Sequence, residues 1–171
     1  MNMKQLTILL TLALLSGGLF AQNVTVAQLS TLSNQSLGEV EEYLRANNWF
    51  FFQGVDETDE KYGNAKFVFD RPNFGPGVTA NYFITHYISE NDNATATEII
   101  FRDKVLFDAF NEQIKNLKFK IKDSKTKDGS IVKVFRGGSQ IIEVSIPPNF
   151  EGTNNYKFLF ARKKDYRRIR G

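Results

Sequence analysis

Tyr43-Leu44-Arg45-Ala46-Asn47-Asn48-Trp49-Phe50-Phe51 leads from an amphipathic segment through two asparagines into an aromatic run, and the pattern returns in Gln113-Ile114-Lys115-Asn116-Leu117-Lys118-Phe119-Lys120-Ile121. At the constant offset that sets Leu44 against Ile114, a helix end is followed twice by a strand start. Upstream of the first copy, Ser36-Leu37-Gly38-Glu39 reads as a capping box, with the Glu39 amide donating to the Ser36 hydroxyl and the Ser36 amide to the Glu39 carboxylate. A helix is expected there, with Leu37, Val40 and Leu44 on one face, Glu39, Glu41, Glu42 and Arg45 elsewhere, and Asn47-Asn48 as its stop. Upstream of the second copy, Asp103 caps a helix over 104–116 that carries Leu106, Phe110 and Ile114, with Val105 and Phe107, at helical spacing.

Four strands are expected after each helix. The first set is 49–55, 65–70 with alternating Ala65, Phe67 and Phe69, then 78–88 and 97–102. In the second set Leu117, Phe119 and Ile121 alternate with Lys118, Lys120 and Lys122 as a half-buried strand; 130–136 follows, closed by Gly137-Gly138, then Ile142, Val144 and Ile146, then Tyr156, Phe158 and Phe160. Glu98-Ile99-Ile100-Phe101-Arg102 also aligns with Lys157-Phe158-Leu159-Phe160-Ala161. The expected fold class is therefore α+β: two tandem α-β-β-β-β repeats, 36–102 and 103–161, forming an antiparallel sheet with the helices on one face and the other face toward water. Residues 36–161 would make a single domain, with 22–35 a partly flexible N-terminal segment and 162–171 a basic C-terminal tail. This order resembles the tandem helix-plus-four-strand architecture of β-lactamase inhibitor protein-like modules, a topological likeness that implies a fold and transfers no activity.

The N-terminus has the layout of an export signal. Lys4 lies in a short positive start, an apolar run spans 6–15, Ser16-Gly17-Gly18 breaks it, and Leu19-Phe20-Ala21 offers cleavage near Ala21, so 1–21 is read as a signal peptide. The apolar run is half the roughly 20 residues a membrane-crossing helix requires, and no transmembrane span is expected after processing. The Phe-Ala-Gln ending resembles signals of secreted or periplasmic proteins from Bacteroidota-type bacteria, and the expected location is accordingly secreted or periplasmic. With no cysteine, the mature chain must be held by its core alone.

Catalytic chemistry finds few residues to use. The lone histidine, His86, shares a strand face with Tyr82, Ile84 and Ile88 and reads as a partly buried strand residue rather than a base. No Gly-x-Ser-x-Gly elbow and no Gly-rich phosphate loop after a strand is present. Neither a typical zinc site nor a cofactor is expected. Asp56, Glu57, Asp59 and Glu60 could offer oxygens to calcium, as could Ser89-Glu90-Asn91-Asp92-Asn93, but neither has the ligand spacing and central glycine of an EF-hand loop, and both read first as solvated acidic loops.

Two surface features remain. Without Lys4 the chain carries a net charge of +2, yet Arg162, Lys163, Lys164, Arg167, Arg168 and Arg170 against Asp165 place +5 at the C-terminus, leaving −3 elsewhere. Such a tail could contact polyanions, including an anionic envelope surface, or could simply protect the last strand from edge pairing; specific nucleic-acid recognition is not expected. Among sixteen phenylalanines, Trp49-Phe50-Phe51-Phe52 is extreme. Alternation puts Trp49 and Phe51 on one face and Phe50 and Phe52 on the other. One pair then either joins Tyr82, Tyr87 or Tyr62 in a patch for a protein or glycan partner, or lies beneath the loop carrying Pro72, Phe74 and Pro76. The function expected from these features is a non-enzymatic extracytoplasmic binding or interaction module. A small secreted hydrolase with a carboxylate-only site and an envelope-associated structural protein held by its tail are the alternatives.

Overall fold

A computed structural model describes residues 24–71, 73, 75, 79–148 and 155–170. The expected signal peptide and the loop residues Pro72, Phe74 and Pro76 lie outside the described residues. The described residues are α+β, with one eight-stranded antiparallel sheet and four helices: α1 (Val26–Leu32), α2 (Leu37–Ala46), β1 (Trp49–Val55), β2 (Gly63–Phe69), β3 (Tyr82–Ser89), β4 (Ala94–Phe101), α3 (Lys104–Asn116), β5 (Lys120–Lys127), β6 (Ser130–Gly137), β7 (Gln140–Ile146), β8 (Tyr156–Arg162) and α4 (Lys163–Arg170). Strand order is β1-β2-β3-β4-β8-β7-β6-β5, so β4 and β8 meet at the centre and β1 and β5 are the edges. At the central seam Ala96 faces Ala161, Ile99 faces Phe158 and Phe101 faces Tyr156.

The expected caps form. Ser36 and Glu39 close the capping box of α2, and the Asp103 carboxylate accepts from the amides of Val105 and Leu106 at the start of α3. A second capping box was not expected. Thr25 and Gln28 reciprocate at the start of α1, where sequence reading expects only a partly flexible segment. Val26, Leu29 and Leu32 bury completely in the core, and the Val26 amide donates to the Gln113 side chain of α3 at 2.9 Å. Residues 25–33 thus form a capped helix packed into the core.

One sheet face carries Trp49, Phe67, Ile84, Ile99, Phe101, Phe158, Phe160, Ile142 and Val144, packed in a single cluster with apolar residues of α1, α2 and α3. Three rings close its centre: Phe101 stacks on Phe158 at 5.6 Å, and Phe110 meets both edge-on at 5.4 and 5.2 Å. The opposite face was expected to meet water. Instead Val68, Ala96, Val134, Ile141, Leu159 and Ala161 are buried there, and Ala96, Leu159 and Ala161 pack with Tyr166 and Ile169 of α4.

The expected C-terminal tail is thus a helix with a docking face. Asp165, fully buried, accepts from Arg162 Nε at 2.5 Å, while Tyr166 donates to Glu143 at 2.6 Å. Charge count conceals the i, i+3 pair Tyr166 and Ile169 that gives α4 its apolar stripe.

A second departure concerns β5. The alternation Leu117, Phe119, Ile121 predicts a half-buried strand, but every residue of β5 is exposed. Leu117 instead caps α3, Lys118 turns into the left-handed region at φ 61°, and the Phe119 amide returns to the Ile114 carbonyl at 3.1 Å. Phe119 then lies over Gly137, where an added Cβ would approach its ring to 2.8 Å. The two edge strands also share a detail: Asn48 (φ 63°) precedes β1 as Lys118 precedes β5, and bulges interrupt the pairing between Phe51 and Gln53 and between Ile121 and Asp123.

Candidate functional site

The face of the sheet that holds α4 also carries a concavity of about 690 Å³. Its floor is Asn64, Tyr87 and Leu159, from β2, β3 and β8. One wall is the β1–β2 loop with Glu57 to Tyr62, a second is the β3–β4 turn with Asn91 and Asp92, and the third is α4 with Arg168 and Ile169.

Hydrogen bonds tie these walls together. Glu57 accepts from the Ser89 hydroxyl at 2.5 Å and from the Glu90 amide at 2.9 Å, which joins the loop to the turn. The Ser89 hydroxyl, followed by the backbone amides, holds the Glu57 carboxyl below the usual carboxylate range. Tyr62 donates to Asp92 at 2.5 Å; partial burial first, then the neighbouring Asp92 carboxylate, push its phenol up to about 12. Arg168 Nη1 donates to the Asp92 carbonyl and brings α4 onto the turn. Gly63 permits the loop to close, because a Cβ there would lie 3.0 Å from the Glu57 backbone nitrogen.

Beneath α4 two glutamates flank Leu159 in the sheet register, Glu98 on β4 and Glu143 on β7. Each is 8 % exposed and accepts from a tyrosine, Glu98 from Tyr87 at 3.2 Å and Glu143 from Tyr166 at 2.6 Å.

No known family, curated protein or solved structure matches the chain.

The aromatic candidates do not form one patch. Trp49 is buried (1 % exposed) against Phe69, Phe51 is exposed (60 %) with its ring edge near Phe67, and Phe52 is exposed at the bulge, where strict alternation breaks. Phe50 and Tyr82 are half-buried, and the register sets Trp49 and Tyr82 on the core face and Phe50 and Tyr87 on the opposite one. Of the six, only Tyr87 lines the cleft.

The four acidic residues Asp56, Glu57, Asp59 and Glu60 do not converge as ligands. Among the described residues no group of three or more His, Cys, Asp or Glu could hold a metal ion. His86, expected to be partly buried, is wholly buried; its Nδ1 lies 2.9 Å from Thr97 Oγ1, and burial lowers its pKa to about 4 against a weaker opposing effect of the Gln35 backbone.

The basic residues divide. Arg162 is engaged with Asp165, and Arg168 with the Asp92 carbonyl. Lys163 and Lys164 line a separate hollow with Arg136 and Gly138, about 480 Å³ in volume, and Arg167 lies one helical turn beyond Lys163. Nothing is described of the Arg170 side chain.

Sequence reading missed Tyr62 to Asn64 and Arg168 as parts of one cleft. The turn 89–93 stood out for its acidic and carboxamide side chains, but only the register of β2, β3 and β8 brings it beside α4.

Proposed function

We propose that the protein is an extracytoplasmic, non-enzymatic binding module whose ligand enters the cleft between the β1–β2 loop, the β3–β4 turn and α4. The observation that carries this reading is the cleft itself: about 690 Å³, with its walls cross-linked by Glu57–Ser89, Tyr62–Asp92 and Arg168–Asp92 hydrogen bonds. Walls fixed before binding lose little entropy on occupancy. Tyrosine faces beside carboxamides and carboxylates suit a glycan, which offers C–H faces for stacking and hydroxyls for hydrogen bonding. Secretion after cleavage near Ala21 follows from the N-terminal pattern. The two matched left-handed turns and edge bulges support the reading of the fold as two α-β-β-β-β repeats, with α2 and α3 sharing one core cluster.

Titration of the protein with chitotetraose and with soluble muropeptides, followed by amide chemical shifts, tests this. Shifts should concentrate at Asn64, Tyr87 and Asn91, and Tyr87→Ala should weaken binding about tenfold, the loss expected for one aromatic contact. If no probe moves those amides at millimolar concentration, the glycan reading fails.

One observation favours a second reading as a small hydrolase, the buried pair Glu98 and Glu143. Two strand spacings separate them by about 10 Å, near the upper end for a carboxylate pair that acts through an intervening water. Glycoside turnover abolished by both Glu98→Gln and Glu143→Gln would replace the binding reading with this one. Retention at an anionic envelope surface through the basic C-terminus is the remaining reading, and the hollow beside α4 bears on it.

A further inference from the structure

The hollow beside the start of α4 gathers positive charge from two separate parts of the chain. Arg136 comes from the end of β6, Lys163 and Lys164 from the first turn of α4, and both groups line the same 480 Å³ concavity with Gly138, Ser139 and Arg162, the last of these paired with Asp165. Lys122 of β5 and Arg167 of α4 are close enough that, with Arg136, their positive charges and partial desolvation hold the Lys163 ammonium below its ordinary pKa, Arg136 contributing most. Backbone register enforces further crowding, because Lys120 stands directly opposite Arg136 across the β5–β6 ladder. Like charges placed opposite one another in a sheet oppose folding.

Counter-charges are few. Asp165, the acid of α4, is committed to Arg162 on the buried side. Asp123 of β5 stands opposite Val134. Among the described residues, Lys122, Arg136, Lys163, Lys164 and Arg167 form no ion pair within 4 Å. The Arg136 side chain is nevertheless held in place, its Nε donating to the Gly138 carbonyl at 3.3 Å, and the Lys163 backbone is fixed where its amide donates to the Ser139 carbonyl at 2.8 Å.

We propose that this hollow is a binding site for a multiply charged phosphate group, with Arg136, Lys163 and Lys164 as its lining and Lys122 and Arg167 as its rim. A guanidinium fork matches phosphate oxygens in pairs, and the ammonium groups supply mobile point charges around it. The site is separate from the cleft, on the other flank of α4, and does not depend on the glycan reading. It also sorts the basic C-terminus: Lys163, Lys164 and Arg167 serve the anion, whereas Arg162 and Arg168 fasten the helix.

The test uses the full chain, with inorganic tripolyphosphate as the soluble probe in calorimetry and phosphatidylcholine vesicles with and without phosphatidic acid in co-sedimentation, at about 0.1 M salt, where charges beyond roughly 10 Å are screened. Arg136→Gln with Lys163→Gln should weaken binding at least about tenfold in whichever arm responds. Lys115→Gln, which removes one positive charge from α3, should leave it unaltered. Lys122→Gln on the exposed edge strand provides a second variant that removes rim charge without touching α4. Binding of tripolyphosphate alone identifies a soluble phosphate ligand, and binding to phosphatidic acid vesicles displaced by tripolyphosphate identifies a lipid headgroup. Absence of binding in both arms, or equal loss with Lys115→Gln, overturns the proposal.

Discussion

Burial governs the proton affinity of His86, and the consequence is a stability that depends on acid. In the folded chain the imidazole is held neutral down to about pH 4, whereas an unfolded histidine titrates at its ordinary 6.5. Between those values the unfolded chain binds the extra proton, so this contribution is complete above pH 6.5, is lost as pH falls toward 4, and then levels off. The shift corresponds to about 3 kcal/mol. Because His86 is the single histidine, its ring proton resonances report it without ambiguity. They should remain unshifted from pH 7 to about 5 while urea midpoints decline, and a midpoint near 6.5 in the folded protein would contradict the burial account. Sequence reading placed this residue on the correct strand face beside Ile84. It could not tell half-burial from complete burial, because that depends on what packs from outside the strand.

At the scale of elements, α4 shows how a charged segment is recruited into a fold. Arg162 is the partner of the buried Asp165, and Tyr166 and Ile169 supply the apolar contacts. Arg162→Ala would strand the carboxylate in the interior at a cost of about 3 kcal/mol. The expected result is accelerated hydrogen exchange over α4, with Arg162→Lys retaining most of the protection; unchanged exchange in the alanine variant would show that the pair does not fasten the helix. Other elements were readable directly. The capping box at Ser36 and the Asp103 cap specify the starts of α2 and α3, since local hydrogen bonds decide them. The same Thr-x-x-Gln signal at Thr25 marks α1, but in the sequence it sits beside an export signal and among few periodic residues. The strand expected from Leu117 began later because a left-handed Lys118 has no sequence signature comparable to an Asn-Gly turn.

Across the whole molecule, β4 and β8 pair at the centre of the sheet and join its two halves. Phe158 is completely buried at their seam and touches the rings of Phe101, Phe107 and Phe110. Phe158→Ala should therefore lower stability by about 3–5 kcal/mol and shift near- and far-ultraviolet circular dichroism midpoints together. Two separated transitions would mean that the halves melt independently. Hydrophobic periodicity and local caps determined by themselves the α+β class, the alternation of helix and four strands, and most of the inward-facing residues, because those signals lie within a few positions of one another. Only the tertiary structure decided that part of the second sheet face is buried, that the basic C-terminus docks there, and that residues from β2, β3, β8 and α4 enclose a cleft. Those outcomes depend on strand register and on contacts between segments far apart in the chain, and no local pattern encodes that geometry.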